Sequence, residues 1–255
     1  MSAAHTVPGR EVAAIVGIDC ATDPKKTGVV GLAADGEGCR VTLAALGDAP
    51  GSVARLAAAA AGSGPALFCL DAPLGWPSAL GLSLAAHAAG EALAEAEPNR
   101  LFRRATDEFV RRRLGKQPLE VGADRIARTA AAALRVLAEL RALRAEAIPL
   151  AWSPALAASA AIEVYPAAVL LARQLPASRY KPAAARGLRA EILAGLAAEL
   201  DPGGHRELLL AKADVLDAAL AALAGADFLA GRCPPPPDRD LAGREGWIWI
   251  REPAA

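Results

Sequence analysis

Aromatic residues make up only 4% of this 255-residue chain, and histidine occurs just three times, at His5, His87 and His205. So few rings leave little surface on which to stack nucleic-acid bases. No histidine stands near a plausible serine or cysteine partner, which argues against a Ser-His-Asp or Cys-His nucleophilic site. Cys20, Cys39, Cys69 and Cys233 are far apart and show no CxxC spacing. Free thiols in a reducing cytoplasm are the simplest expectation. Charge of one sign is missing too: Lys plus Arg and Asp plus Glu both number 28. No global basic field announces a nucleic-acid partner, although a local basic face would suffice.

Long apolar runs are absent as well. The Ala/Leu stretches are broken by Arg and Glu at helical intervals, as in RVLAELRALRAEA, a pattern of amphipathic helices rather than membrane spans. The N-terminal residues MSAAHTVPGREVAAIVGID lack a basic region followed by an apolar one, so no signal peptide is expected. There is no internal repeat. What is present, 54% hydrophobic and 22% charged residues, suits a chain that can bury a substantial core.

Residues 12–18 (VAAIVGI) have the pattern of a buried strand with Asp19 at its end, and CATDPKKTG reads as a turn. Strands at 29–34 and 39–46, separated by Asp35, Gly36 and Gly38, complete an antiparallel meander. A helix near 51–61 precedes a fourth strand at 66–70 (ALFCL), which again ends in an acid, Asp71. The prolines and glycine of APLGWP stop it. From about 79 to 148 the chain reads as helical and Arg-rich. A short strand is expected at 160–164, with Pro166 in the first turn of the next helix. Further helices follow at 183–200 and 205–230, then a stiff connector, CPPPPD (233–238), and a last strand in GWIWI. The fold class is α/β, a mixed sheet of an antiparallel meander plus parallel strands with helices on its faces.

The acids say more than the fold. Asp19 and Asp71 would meet at one sheet edge if their strands are adjacent and parallel. Two such carboxylates repel unless one is protonated or a cation lies between them. Mg²⁺ or Mn²⁺, which prefer oxygen ligands, fit that need. Asp214 and Asp217 lie three apart in the apolar run AKADVLDAALAALAGADFLA. On a continuing helix both reach the same cluster. With Asp214 at the N-cap and Asp217 at N3 they would instead cap a helix start. Carboxylates holding two metal ions roughly 3.5–4 Å apart favour phosphodiester hydrolysis. Lys25 and Lys26, in the turn beside Asp19, are placed to meet a phosphate. Gly62-Ser63-Gly64 is too short for a phosphate-binding glycine motif.

The segments GIDCATDPKKTG, LDAPLGWP, FRRATDEFVRRRLG, IEVYPAAVL, RYK, ADVLDAALAAL and EGWIWI, in this order, resemble the domain of unknown function family 429. The resemblance runs from about residue 12 to 251. It implies a single RNase H-like domain over 1–255 with an Arg-rich helical insertion at about 79–150, and a metal-dependent nuclease. The order of acids is distantly similar to that of RuvC-type resolvases, whose fourth-strand acid is usually Glu where this chain has Asp71. Carried over, the resemblance makes Asp19, Asp71, Asp214 and Asp217 the catalytic and metal-binding acids, with Glu163 a reserve ligand for Mg²⁺ or Mn²⁺.

Arg103, Asp107 and Lys181 also fall in family-like segments and are expected at the substrate cleft, Lys181 as a charge partner for the acids. The remaining arginines near them, Arg104 and Arg111 to Arg113, read as a solvated helix face with pairs such as Arg104 with Glu108 and Asp107 with Arg111. Trp76 could stack a base or cover the sheet edge, and Trp247 and Trp249 read as packing. The expected partner is DNA or RNA. Two other readings compete: a nucleotide-binding phosphotransferase of the actin-like class, which lacks a visible second phosphate loop, and a non-catalytic binding protein retaining the acids for structure.

Overall fold

Alternation of side chains along two neighbouring parallel strands sets the plan of the molecule, whose computed structural model describes residues 14–93, 97–122 and 124–253. The chain begins with β1 (Ala14–Asp19), β2 (Gly28–Asp35), β3 (Gly38–Leu46), α1 (Ser52–Ala61) and β4 (Ala66–Asp71). A helical excursion follows, α2 (Ser78–Ala85), α3 (Pro98–Phe102), α4 (Ala105–Leu114) and α5 (Asp124–Arg144). The remainder is β5 (Ala160–Glu163), α6 (Pro166–Ala172), α7 (Arg186–Gly195), β6 (Leu200–Asp201), α8 (Arg206–Ala211), α9 (Ala213–Leu229) and α10 (Arg239–Glu245). The six strands form one sheet in the order β5-β4-β1-β2-β3-β6. β1, β2 and β3 are antiparallel, while β4 runs parallel to β1 and β5 parallel to β4. This mixed sheet with helices on both faces is an RNase H-like arrangement.

Each face has its own core because strand side chains alternate. Ile15, Leu67, Cys69 and Ile162 pack toward α6 and α9. Val16, Ile18, Phe68 and Leu70 pack toward α1 and α5. The β2–β3 hairpin closes through the two-residue loop Gly36-Glu37, with Gly36 at φ 60°, where glycine carries no β-carbon penalty.

α9 is apolar all round, as a fully enclosed helix must be, and its residues Val215 to Gly225 are buried. It lies directly on the sheet backbone. A β-carbon on Gly17 would overlap the Ala218 carbonyl oxygen, one on Gly28 the Asp214 carbonyl, and one on Gly225 the Cys69 sulfur.

Several expectations need correction. The expected first strand starts at residue 12, which, with residue 13, lies outside the described residues. The stretch 79–148 is not one helical run, because Gly115 ends α4 in the left-handed region at φ 69°; residues 94–96 and 123 of this stretch lie outside the described part. The helix expected over 183–200 is a 3-10 turn at 183–185 followed by α7, and Leu200–Asp201 then pair with Cys39–Arg40 as β6. The run 205–230 is divided at Lys212, whose backbone is extended. GWIWI is not a strand: it makes a single bridge between Ile248 and Glu163, while Trp247 and Trp249 are buried packing residues. No helix among the described residues is long and apolar enough to cross a membrane.

The close approach of α9 generates a stability test. Gly17→Ala forces the helix off β1 and is expected to cost about 1–3 kcal/mol. The melting temperature should fall by several degrees, at about 2–4 °C per kcal/mol in a domain of this size. Gly187→Ala, in α7 where the added carbon meets nothing within 4 Å, should not lower it. A Gly17→Ala melt equal to wild type would refute the contact.

Candidate active site

Asp19 and Asp71 are the last residues of two parallel strands, and they pair in register. Both follow the odd-numbered positions Ile15, Gly17, Leu67 and Cys69, so both side chains leave the sheet on the α9 face. They stand close enough for one carboxyl, when protonated, to hydrogen-bond the other. On the other side of Asp19 its partner is Gly28, the residue against which the Asp214 carbonyl packs. The start of α9 is thereby brought to the same sheet edge.

Asp217, one turn into α9, is fully buried. Its Oδ1 accepts a hydrogen bond of 2.7 Å from the Tyr180 hydroxyl, and Lys181 Nζ lies 2.7 Å from Oδ2. The lysine contact is an ion pair by distance without the angles of a hydrogen bond, since Oδ2 has no hydrogen-bond partner. Asp214 is half-buried and makes no capping bond; the N-cap of α9 is Lys212. The capping arrangement considered for the Asp214–Asp217 pair is therefore not formed. The helix does not run through from residue 205 either; it begins one residue before Asp214.

Glu163 lies near this pair but is held by an arginine. It pairs in register with Leu70 rather than with Asp71, so its side chain leaves on the opposite parity. There Arg104 donates to both its oxygens at 2.8 and 2.9 Å, and the Leu74 amide donates to Oε2 at 2.9 Å. Both its oxygens are therefore engaged by these donors, although the residue borders the same cavity as Asp19 and Asp71. Asp107 is corrected: it is fully buried, and its two oxygens take the Arg104 guanidinium at 2.8 and 3.2 Å. It anchors an arginine and does not face substrate. The pairs expected between Arg104 and Glu108 and between Asp107 and Arg111 are replaced by Arg104 with Asp107 and Arg112 with Glu108. Arg103 is tied to Glu120 at 2.9 Å. Lys25 and Lys26 are exposed on a 3-10 turn that Asp23 caps, and only Lys26 is near enough to Asp214 to favour its charged form.

Two arginines escaped the sequence reading. Arg104 also donates to the Glu245 carbonyl at 3.1 Å and so ties α4, β5 and α10 together. Arg189 is buried without any carboxylate. Its guanidinium donates to the carbonyls of Tyr180, Pro182, Ala183 and Leu210. That clamp fixes the Tyr180-Lys181 segment to the chain leading into α9. Nothing in the sequence separates it from other helical arginines. Arg104 had one signal, an Asp three residues on at a helix start.

Asp19, Asp71, Asp217 and Lys181 line a cavity of about 410 Å³. Arg103, Asp107, Lys25, Lys26 and Asp214 are not in its wall. Burial, then the charges of Asp71 and Asp217, push the Asp19 carboxyl well above its usual range. Burial, then Asp217, raises Asp71 to about 7. Burial pulls the Lys181 ammonium down, but Asp217, Asp19 and Asp71 outweigh it and hold the group charged. Asp214 is raised by burial, with Lys181 opposing.

Among the described residues no three His, Cys, Asp or Glu side chains are already arranged to hold a metal ion. Asp217, which would join Asp19 and Asp71, is turned to Tyr180 and Lys181. The donor chemistry nevertheless fits a hard divalent cation. All the groups are oxygens, Asp19 and Asp71 make no ion pair among the described residues, and the Lys181 ammonium on Asp217 only partly offsets their mutual repulsion. Asp19, Asp71 and Asp217 are the residues that would hold it.

The sequence profile described as "Protein of unknown function (DUF429)" matches residues 17–241. No curated protein and no solved structure matches the chain.

The crowded pair predicts a pH dependence of stability. A folded-state pKa of about 7 for Asp71, against 3.8 unfolded, means the native state binds more protons between those values. Stability then falls as pH rises from about 4 to about 7. Asp71→Asn removes that loss. Without metal it should melt at least about 2–4 °C above wild type at pH 8, the shift of roughly 1 kcal/mol, and level with it near pH 4. Equal melting at both pH values counts against the pair.

Proposed function

The chain belongs to the DUF429 family of proteins of unknown function, and from that premise we propose that it is a Mg²⁺- or Mn²⁺-dependent phosphodiester hydrolase, a nuclease. The observation that carries this reading is the register pair Asp19–Asp71, two carboxyls on one face of one sheet edge that make no ion pair of their own among the described residues. Groups so perturbed in a cavity mark functional sites more often than structural ones. Metal ions held there would activate water and neutralise the charge of the phosphoryl group in the two-metal manner.

The other contributions come from the chain. Hydrolysis adds the hydroxyl of water to phosphorus, breaks the ester P–O bond and returns the proton to the departing oxygen. Asp19, central on β1, faces the reacting phosphate with Asp71 beside it. Tyr180 holds one oxygen of Asp217 and so fixes how that carboxylate is presented. Lys181 brings the ammonium already on Asp217 toward the phosphoryl charge. DNA or RNA is the proposed substrate. The four unpaired cysteines support a reducing, cytoplasmic setting.

Asp19→Asn should lower Mn²⁺-dependent cleavage by at least about 100-fold, the scale on which one transition-state group acts. Metal binding should weaken while circular dichroism stays unchanged. In the wild type, Mn²⁺ at about 100 times its Kd should stabilise the fold by roughly 2.7 kcal/mol, read as a higher melting temperature. Cleavage that survives in Asp19→Asn would overturn the mechanism.

A further inference from the structure

The cavity at the acidic edge carries more charge than the reaction uses, and the surplus lies on another wall. Within it Arg104 is consumed by Asp107 and Glu163, and Lys181 by Asp217. Two cations are left over, Lys116 and Arg179, both of which line the same space. Lys116 Nζ meets only the Ala177 carbonyl, at 3.4 Å, a neutral contact that leaves its charge uncompensated. Arg179 makes no ion pair among the described residues. Its backbone sits at φ 64°, a left-handed conformation that an arginine seldom adopts and that tends to persist where function requires it. The Lys116 bond to Ala177 joins the two cations to one short segment, Ala177 to Lys181. Both cations thus line the cavity beside the segment that carries Tyr180 and Lys181 to the acids.

The size and covering of the cavity restrict what can occupy it. About 410 Å³ falls in the range of small-ligand pockets, about 300–1,000 Å³. The helical excursion closes one side, with Pro118 and Leu119 after α4 and Ile126 and Thr129 on α5 in the wall. An intact duplex cannot enter such a space, whereas one unstacked unit can. Pro118, Leu119, Ile126 and Val164 give the wall an apolar part, which suits the faces of a base and sugar.

We propose that this cavity takes a single nucleotide unit carrying a terminal phosphate, such as the end of a strand, with Lys116 and Arg179 as the phosphate anchor. The proposal rests on the phosphodiester reading above and names its substrate as a strand end or short oligonucleotide rather than continuous duplex. Neither cation touches the reacting ester; both act on binding. An arginine fork and a lysine on one phosphate make charge-assisted hydrogen bonds, the strong class.

Calorimetric titration of the full chain with AMP and with adenosine, in the presence of Mg²⁺, tests this directly. AMP should bind at least about tenfold more tightly than adenosine, and Lys116→Glu/Arg179→Glu should lose at least about tenfold in AMP affinity with no change in melting temperature. Arg179→Gln alone, at an exposed position, serves if the double charge reversal unfolds the chain. Equal affinity for AMP and adenosine, no AMP binding at millimolar concentration, or variants that bind AMP like wild type would each overturn the anchor. Cleavage of a covalently closed circular duplex in preference to a short 5′-phosphorylated strand would overturn it as well, while leaving the hydrolase reading standing. Specific AMP binding with no cleavage of any phosphodiester sinks the hydrolase reading and keeps the anchor.

Discussion

Everything at the acidic edge depends on a helix lying on bare backbone. α9 can approach β1 and β2 only because Gly17 and Gly28 offer no β-carbon beneath it, and because Gly225 clears the Cys69 sulfur at its far end. The helix answers with small residues of its own, Ala218, Ala219, Ala221 and Ala222, all fully buried. With side chains of ordinary size at this contact, helix and sheet would sit 8–10 Å or more apart, as packed elements do. The glycine contacts bring the Asp214 carbonyl against the strand that flanks Asp19. They convert two acids three apart in sequence into neighbours of the strand-end pair.

The interior holds acids in two distinct ways, and the contrast identifies the site better than any acid taken singly. Asp107 and Glu163 are neutralised by Arg104 through bidentate contacts. Asp227 is met by Arg173 at 2.8 Å and Arg232 at 3.1 Å. Burying such groups is tolerable only with that pairing, and removing one partner strands a charge. Asp19 and Asp71 have no arginine. Burial and neighbouring carboxylates raise both, with Lys181 opposing only in part, so the fold holds them at a cost in stability.

Much of this was legible in the sequence, for identifiable reasons. β1 to β4 announce themselves because buried strands alternate and end in turn residues. Both strand-end acids follow from that reading, as does the parallel placement of β4. Parity was available too: Glu163 ends β5 one step out of phase with Asp19 and Asp71, which already separates it from them once the register is known. The break at Lys212 was not legible, since no proline or glycine marks it within an Ala/Leu run and tertiary packing decides it. GWIWI alternates like a strand but finds one bridging partner, because Trp249 uses its amide on the Glu163 carbonyl at 3.0 Å and the ladder goes no further. Which arginine turns inward is hidden as well. Six arginines share the stretch from Arg100 to Arg113, and beyond the Asp three residues on, what singles out Arg104 is a carboxylate 59 residues away in β5.

A preformed metal cage is absent among the described residues, and the electrostatics explain how that agrees with the proposed hydrolase. Three carboxylates with no cation would drive one another apart, so the chain needs a placeholder. Lys181 is that group, with its side chain 61% exposed while its ammonium rests on the fully buried Asp217. The exposed cation adds little of its own, but the buried carboxylate depends on it, because removing the partner strands a charge. The lysine can leave only if another cation takes its place on Asp217 Oδ2, the oxygen that already lacks a hydrogen-bond partner. Tyr180 stays on Oδ1 and keeps the carboxylate aimed at the edge, while Arg189 keeps Tyr180 in place. On the proposed reading, the ammonium holds the acids together until a divalent cation displaces it, and then becomes available to the phosphate that arrives with the substrate.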